Sequence, residues 1–108
     1  DSILSPTASD FIRTTLRECK TGTDRIAAPL KDRDGVIVAH KTGSGFRASN
    51  GILTAHNDVA FVELPRNRHY ALAVLVKDFN GSESDAAAVI AHLSAIVYDW
   101  ISKSVAPK

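Results

Sequence analysis

A seven-residue apolar run in the second half of the chain limits what this protein can fold into. Tyr70–Val76 reads Tyr-Ala-Leu-Ala-Val-Leu-Val and contains no charged residue. Because successive side chains of a strand point to opposite faces, both faces of this strand would be apolar. Such a strand is expected to be covered on both sides. The Asn80-Gly81 pair breaks the run, which therefore predicts the strongest strand of a β-sheet.

A helix is predicted ahead of the sheet. Ser5 is suited to cap this helix, and Pro6 is tolerated at its first position. Apolar residues then recur at helical spacing from Ala8 to Cys19. Thr21-Gly22 is expected to end the helix, because glycine is common just beyond helix C-termini. Cys19 is therefore predicted to be a buried thiol on the helix face rather than a nucleophile.

A second helix is predicted at the other end of the chain. Ser82 and Asp85 have the spacing of a capping box. From Ala86 to Ile101, apolar residues fall on one broad helical face. The polar tail, residues 102–108, is predicted to fray.

Two further strands are predicted between the helices. The first covers Val36 to Lys41, and the second covers Ile52 to Leu64 after a loop over residues 43–51. Asn57-Asp58 is predicted to form a bulge or a bend in the second strand. The predicted fold class is therefore α+β, with a three-stranded antiparallel sheet flanked by an N-terminal and a C-terminal helix. All of residues 1–108 are expected to form one segment.

The predicted sheet is expected to need further contacts. Two helices are expected to cover only one of its faces, and a three-stranded sheet has two open edges. Both points predict a segment that packs against more protein. Self-association through the uncovered sheet face is one such contact.

Composition narrows the classes of partner. The 108 residues carry a formal net charge of +1, and the basic residues are scattered, which argues against a nucleic-acid partner. No apolar run approaches the ~18 residues of a membrane span, and no secretory signal is visible. The chain begins with Asp1 and contains no methionine, so we expect a processed chain or a piece of a larger one. The single cysteine excludes an internal disulfide.

Lys41-Thr42-Gly43 carries the main signal for chemistry, at the end of the first predicted strand. Lys41 supplies positive charge, and the hydroxyls of Thr42 and Ser44 supply hydrogen-bond donors. Gly43 has no side chain, so a ligand can lie close to its backbone. This combination suits an anionic, carboxylate-bearing substrate beside a strand edge. A solvated strand end is the alternative for an isolated triplet of this kind.

The triplet belongs to a longer series of segments in a fixed order. The segments are Leu4-Ser5-Pro6, Thr21-Gly22-Thr23-Asp24-Arg25-Ile26, Ala39-His40-Lys41-Thr42-Gly43-Ser44-Gly45, Asn57-Asp58-Val59-Ala60-Phe61 and Ala71-Leu72-Ala73-Val74-Leu75-Val76. In order and spacing this series resembles the C-terminal part of class A serine β-lactamases. The resemblance covers nearly the whole chain and implies part of a β-lactamase/transpeptidase-like α/β domain. The His-Lys-Thr-Gly-Ser-Gly form is similar to that of the cephalosporinase and extended-spectrum subgroup.

The resemblance implies a role for each residue of the triplet segment. Lys41 would lie near the β-lactam carboxylate and the nucleophile, and Thr42 would hydrogen-bond that carboxylate. The backbone N–H of Ser44 would be one of two donors to the developing oxyanion, and its hydroxyl could touch the carboxylate. The implied catalytic residues are Ser44 and Lys41, and the implied substrate-binding residues are Lys41, Thr42, Gly43, Ser44 and Arg25.

Arg25 is included because it lies where some family members carry an arginine that replaces the one on the next strand. Many class A enzymes carry an arginine on the next strand that strengthens the anion site, and Asn50 is expected to occupy that place here. Members without that arginine often carry one in the Thr-Gly-x-x-Arg segment, where Arg25 lies. The alternative for Arg25 is an ordinary surface arginine in a loop.

The chain lacks the nucleophilic parts of this family. It contains no Ser-x-x-Lys and no Ser-Asp-Asn. The resemblance therefore implies a C-terminal fragment of an enzyme that hydrolyses the β-lactam amide through an acyl-serine, in the periplasm or secreted. The fragment alone is expected to be inactive. The alternatives are a fragment of a penicillin-binding protein and a non-enzymatic interaction module.

No metal or other cofactor is implied. The four histidines, at positions 40, 56, 69 and 92, show no metal-ligand spacing. His40 is predicted to tune the wall beside Lys41, His56 to be structural and His69 to lie in a turn. Asp58 and Glu63 lie five residues apart on a strand, so they are predicted to face opposite sides and to be structural.

Overall fold

The computed structural model describes residues 3–104, and its elements follow in the predicted order. They are α1 (Pro6–Arg17), a short 3₁₀ helix (Ala28–Leu30), β1 (Ile37–Ser44), β2 (Leu53–Leu64), β3 (Arg68–Phe79) and α2 (Glu83–Ser104). The strands form one antiparallel sheet in the order β1-β2-β3. The α+β class is thus confirmed. Among residues 3–104, neither helix combines the length and the apolar character needed to cross a bilayer.

α1 begins as predicted but ends earlier. The Ser5 hydroxyl accepts a hydrogen bond from the Ala8 N–H at 3.1 Å, and Pro6 is the first helical residue. At the other end, the N–H groups of Glu18 and Cys19 donate to carbonyls only three residues back. This tightening closes the helix after Arg17. Cys19 therefore lies just outside the helix, half-buried, and the prediction of a buried thiol on its face is wrong.

β1 is longer than predicted. It pairs with β2 from Ile37 opposite Glu63 to Ser44 opposite His56. The predicted loop begins only after the Lys-Thr-Gly triplet, because pairing with β2 continues through the triplet to Ser44. The bulge predicted at Asn57-Asp58 is wrong, since both ladders run past these residues without a shift in register.

The two helices cover opposite faces of the sheet. On the inner face, Val62 packs in one buried cluster with Ile90 of α2. On the outer face, the Arg13 guanidinium of α1 lies 5.2 Å from the centroid of the Phe61 ring. The expectation that both helices would share one face is therefore wrong. The buried cluster consists of Ile26, Leu30, Ala60, Val62, Leu64, Tyr70, Val74 and Ile90.

β3 is covered on one face only. Tyr70 and Val74 are buried on the inner face, whereas Ala71 and Ala73 are exposed on the outer face. Leu75, also on the outer face, is 72% exposed. The prediction that this strand is buried on both faces is wrong for the described residues, because α1 packs over β1 instead.

α2 has the predicted cap and runs further than predicted. The Ser82 hydroxyl accepts from the Asp85 N–H at 3.0 Å, and the helix starts at Glu83. The helix continues through residues 102–104, the first part of the tail that was predicted to fray. The rest of that tail, residues 105–108, lies outside the described residues.

Candidate functional site

The Lys-Thr-Gly triplet lies inside β1, and strand alternation divides it between the two faces. Thr42 lies opposite Asp58 and shares the inner face with it, while Ser44 lies opposite His56 on the same face. Lys41 and Gly43 point to the outer face. A methyl group added to Gly43 would meet no atom within 4 Å, so the outer face is open at this position.

The backbone of Ser44 points toward the open edge of the sheet. The Gly45 N–H donates to the Ala55 carbonyl at 2.8 Å, so these two residues form a hydrogen-bonded pair. Hydrogen-bonded and non-hydrogen-bonded pairs alternate along an antiparallel ladder. The neighbouring Ser44–His56 pair is therefore non-hydrogen-bonded, and the Ser44 N–H points away from β2. Within the described residues, no strand lies beyond β1 on that side.

Lys41 is exposed and lies over this edge. By the same alternation, the Thr42 carbonyl points to the open edge, and the Lys41 ammonium donates to it at 2.7 Å. Lys41 thus places a positive charge beside unpaired backbone groups. This arrangement holds the ammonium near the strand without burying it.

Arg25 approaches the same strand from the inner side and is only 8% exposed. Its guanidinium donates to the Asn57 carbonyl at 2.6 Å and to the Ser44 hydroxyl at 2.8 Å. The Asp24 carboxylate lies 3.9 Å from Arg25 Nε. The alternative of a surface loop arginine therefore does not hold, because Arg25 and Ser44 are in direct contact.

The loop that carries Arg25, residues 22–26, is called the Arg25 loop, and its start packs directly against Thr42. Gly22 has a φ of 64°, and a methyl group on it would overlap the Thr42 Cγ2 methyl. The Thr21 hydroxyl lies 3.4 Å from the Thr42 hydroxyl, and the Cys19 thiol lies 3.5 Å from the Thr21 hydroxyl. Glycine at position 22 is therefore required by its backbone conformation and by its close approach to the strand.

Asp58 and Ser94 hold the end of the same loop. The Ile26 N–H donates to Asp58 Oδ2 at 3.1 Å, and the Ser94 hydroxyl donates to the Ile26 carbonyl at 2.8 Å. The other Asp58 oxygen lies 3.3 Å from His40 Nδ1. Burial raises the pKa of the Asp58 carboxyl, while the Ile26 N–H and then His40 act in the opposite direction. Both polar groups of the Ile26 backbone are thus fixed by side chains from other elements.

His56 is buried below this cluster and is 2% exposed. Among the described residues, neither ring nitrogen has a hydrogen-bond partner. Burial, and then the Arg25 guanidinium, lower the pKa of His56. A neutral imidazole therefore lies opposite Ser44 and near Arg25.

Asn50 does not occupy the place expected for it. It lies in the turn between β1 and β2, where its side-chain oxygen accepts from the Ile52 N–H at 3.1 Å. Because the loop is displaced toward the C-terminus, His56 and Asn57 are the β2 residues beside Ser44 and Gly43. The prediction of Asn50 on the neighbouring strand at the anion site is wrong.

The remaining polar residues are separate from this site. His69 lies on β3 rather than in a turn, with its ring 5.1 Å from the Phe61 ring, and His92 lies on α2. Glu63 forms an ion pair with Arg17 on the outer face, opposite to the face that carries Asp58. Among residues 3–104, no group of three His, Cys, Asp or Glu side chains could hold a metal ion.

Sequence reasoning missed the links between Asp58, Ser94 and Ile26. One signal was available. Asp58 precedes Ala60, Val62 and Leu64 on the same face of β2, and a charged residue in such a buried row needs a hydrogen-bond partner. No comparable signal identifies Ile26 as the partner of Asp58 and of Ser94, because these residues lie 32 and 68 positions away from Ile26 along the chain.

The family comparison is consistent over almost the entire chain. A model described as "Beta-lactamase enzyme family" matches residues 1–101. A β-lactamase of Phocaeicola vulgatus is 53% identical over 104 residues, which cover 96% of this chain and 32% of that protein. The extended-spectrum β-lactamase PER-1 of Pseudomonas aeruginosa is 35% identical over 103 residues, covering 94% of this chain and 32% of its own. The chain thus spans 32% of the length of these curated relatives.

Solved structures share the arrangement of helices and strands. The TLA-3 extended-spectrum β-lactamase superposes with a TM-score of 0.88 at 37% identity, covering 95% of this chain and 37% of that one. A class A β-lactamase from Bacteroides cellulosilyticus superposes with a TM-score of 0.83 at 40% identity, covering 92% and 35%.

Proposed function

Since this chain belongs to the β-lactamase enzyme family and is similar to class A members, we propose that it is the C-terminal part of a serine β-lactamase. The whole enzyme hydrolyses the β-lactam amide through an acyl-serine intermediate. This segment contributes the substrate-carboxylate wall and one donor of the oxyanion hole. The wall consists of Lys41, Thr42, Gly43, Ser44 and Arg25.

The orientation of the Ser44 N–H is the observation that carries this proposal. That N–H points to the open edge of β1, where a substrate lying along the strand would meet it. A backbone N–H needs no reorganisation when an oxyanion develops beside it. Loss of one such donor typically costs about 2.7–4 kcal/mol in the transition state.

The cations and hydroxyls around the same edge support carboxylate binding. Lys41 places its ammonium over the edge, and Arg25 holds its guanidinium on the Ser44 hydroxyl. Charge-assisted hydrogen bonds to a carboxylate are about twice as strong as neutral ones. The wall therefore suits a substrate that presents a carboxylate beside its reacting carbonyl.

Hydrolysis of matched substrates by the full-length enzyme tests this role. Thr42→Ala should lower kcat/KM for a β-lactam with a free carboxylate by about tenfold, the effect of one lost hydrogen bond to a charged group. The methyl ester of the same β-lactam should be affected much less. Thr14→Ala, on the exposed side of α1, is the matched control and should change neither rate. Equal losses for acid and ester would contradict the carboxylate role of the wall.

The isolated 108 residues are proposed to be inactive. They contain no Ser-x-x-Lys to form the acyl-enzyme, and covalent catalysis loses most of its rate without its nucleophile. The purified chain should give no nitrocefin turnover above buffer. Turnover that disappears with Thr42→Ala would overturn this expectation.

A penicillin-binding protein is the alternative enzyme, because its acyl-enzyme uses a similar wall. The relatives named above favour the lactamase, since they are β-lactamases at 35–53% identity. Deacylation separates the two functions. Rapid release of the acyl group by the full-length protein supports the lactamase, and slow release supports the penicillin-binding protein.

The interaction-module alternative and the location in the cell have their own tests. Leu75, 72% exposed on the outer face, is the feature that favours self-association. A monomer of the chain in size-exclusion chromatography would remove that support. Periplasmic or secreted localisation is proposed from the family, and fractionation of cells that express the full-length protein tests it.

A further inference from the structure

We infer that Asp58 is the positioning residue for Arg25. Asp58 binds the backbone of Ile26, the residue that follows Arg25, and so ties it to β2. This contact sets the position of the Arg25 guanidinium beside Ser44. This inference rests on the proposed function only in that Arg25 binds the substrate carboxylate. The fastening itself is a property of the fold.

The burial of Asp58 shows that its carboxylate has a specific use. Its exposure is 0%, and its strand neighbours on the two sides are Thr42 and Val74. A buried carboxylate is costly unless its oxygens are hydrogen-bonded. Here one oxygen accepts from the Ile26 N–H at 3.1 Å, and the other lies 3.3 Å from His40 Nδ1.

The loop that carries Arg25 depends on a few anchors. Residues 22–26 belong to no helix or strand. Within the loop, the Arg25 N–H donates to the Gly22 carbonyl at 3.2 Å. The Arg25 carbonyl accepts from the Ala28 N–H of the 3₁₀ helix at 3.1 Å. Two side chains from the sheet and from α2 bind the loop backbone, and both bind it at Ile26: Asp58 and Ser94. The side chains that tie this loop to β2 and α2 therefore act on Ile26, one residue away from Arg25.

Two consecutive residues of β2 accept hydrogen bonds from two consecutive residues of the loop. The Asn57 carbonyl accepts from the Arg25 guanidinium at 2.6 Å, and the Asp58 carboxylate accepts from the Ile26 N–H. This pairing fixes the loop in register with β2. Because Ser44 lies opposite His56 on the adjacent strand, the same register brings the guanidinium to the Ser44 hydroxyl at 2.8 Å.

Substitutions at Asp58 separate its acceptor role from its bulk. Asp58→Ala and Asp58→Leu both remove the acceptor of the Ile26 N–H, and the leucine fills the space with an apolar side chain. Asp58→Asn keeps a carbonyl oxygen that can accept the same hydrogen bond. Val62→Ala is the matched control, since Val62 is also fully buried on the inner face of β2 and belongs to the same buried cluster as Ile26, but its side chain accepts no hydrogen bond from the loop.

Hydrogen exchange in the full-length enzyme tests the fastening without reference to activity. Asp58→Ala and Asp58→Leu should speed exchange of the Ile26 amide by at least about tenfold, because the amide loses its acceptor. Asp58→Asn should keep the protection to within about threefold. If Ile26 exchange in the alanine and leucine variants only matches that of Val62→Ala, the inference is overturned. Should Asp58→Ala fail to fold, the leucine variant alone decides.

Kinetics test whether the fastening acts through Arg25. With a carboxylate-bearing β-lactam, Asp58→Leu should lower kcat/KM by about tenfold, mainly through KM, as expected when a binding contact is misplaced. In an Arg25→Ala background the same substitution should have almost no further effect on KM, because the group that it positions is gone. An equal loss in both backgrounds overturns the inference and leaves the carboxylate wall intact. If Arg25→Ala itself leaves KM unchanged while the exchange result holds, the fastening stands and the proposed role of Arg25 in carboxylate binding fails.

Discussion

Lys41 and Arg25 are the two cations of the proposed wall, and the fold holds them in opposite ways. The Lys41 side chain is exposed, and its ammonium bonds to the carbonyl of the next residue. Arg25 is buried, with its guanidinium on Ser44 and Asn57 and its neighbour Ile26 bound from two sides. One cation lies at the edge of the fold, and the other is built into it.

This difference separates what the segment fixes from what it leaves adjustable. The position of Arg25 is determined by residues of β2 and α2, so its geometry exists before any ligand arrives, which lowers the cost of binding an anion. Lys41 keeps a flexible four-carbon side chain and can redirect its charge along the open edge. The fold is therefore expected to tolerate changes at Lys41 and to respond strongly to changes around Arg25.

The largest expected effect comes from disturbing the loop where it meets the strand. Gly22→Ala should lower the free energy of unfolding by about 2–4 kcal/mol, since it combines a left-handed backbone with an overlap on Thr42. Gly43→Ala is the matched control on the open outer face, where it should be neutral or slightly stabilising. Urea denaturation measures both. A Gly22→Ala variant as stable as Gly43→Ala would contradict the tight packing of the loop.

The next largest effect compares the two cations directly. Arg25→Ala should lower the free energy of unfolding by about 1–3 kcal/mol, because the Ser44 hydroxyl and the Asn57 carbonyl lose a charged donor. Lys41→Ala should change it by less than about 0.5 kcal/mol, as is usual for an exposed side chain. Chemical denaturation of the two variants decides the comparison. Equal losses would show that burial does not distinguish the two cations.

A pH-dependent effect is expected from His56, which lies near Arg25. Its pKa in the folded state is lowered from 6.5, so the unfolded chain binds the proton more readily. Its contribution to stability is therefore present above pH 6.5 and is lost as the pH falls from 6.5 through the lowered pKa. For one proton the slope is at most about 1.4 kcal/mol per pH unit.

Thermal or urea unfolding as a function of pH measures this contribution. His56→Gln should flatten the loss of stability below pH 6.5, whereas the matched change His92→Gln, on the exposed side of α2, should not. Arg25 adds to the lowering, while Asp24 and Glu83 oppose it. Arg25→Ala should therefore weaken the pH dependence. A pH profile unchanged by His56→Gln would contradict this account.

The smallest effect is expected at a cation outside the wall. Arg66 lies in the turn between β2 and β3 with a φ of 68°. Arg66→Gly should raise the free energy of unfolding by about 0.5 kcal/mol, because relief of the left-handed conformation exceeds the added entropy of the unfolded chain. Asn67→Gly, at a φ of 59°, should gain less, since asparagine tolerates this conformation. Denaturation curves that rank the two in reverse would contradict this explanation.

The order of elements and the fold class follow from local signals in the sequence. The Ser5-Pro6 start, the Ser82 cap and the apolar run of β3 each act over a few residues, so each can be recognised from its neighbours. The end of β1 was misplaced because partner strands decide where a strand ends. Glycine and serine after Lys41 favour a loop locally, and pairing with β2 overrides that preference.

The candidate site was partly accessible from the sequence. Lys41 was placed on the first strand by the sequence, whereas Ser44 was predicted in the following loop and belongs to β1 because it pairs with β2. The contact between Arg25 and Ser44 depends on how an irregular loop folds back, which no periodicity encodes. The sequence also could not predict which helix packs on which face of the sheet, since this depends on the side to which the chain turns after α1.

The hydrogen bond between Ser94 and Ile26 has a consequence for the order in which the protein folds. It joins α2 to the Arg25 loop across 68 positions of the chain. Contacts between distant residues carry the entropy of closing a long loop, and they form after the local ones. The Ile26 carbonyl therefore gains this donor only when the last helix has docked, whereas Asn57 and Asp58 of β2 can bind the loop before then. During synthesis, we expect the strand that carries Lys41 to pair with β2 before this last anchor of the loop forms.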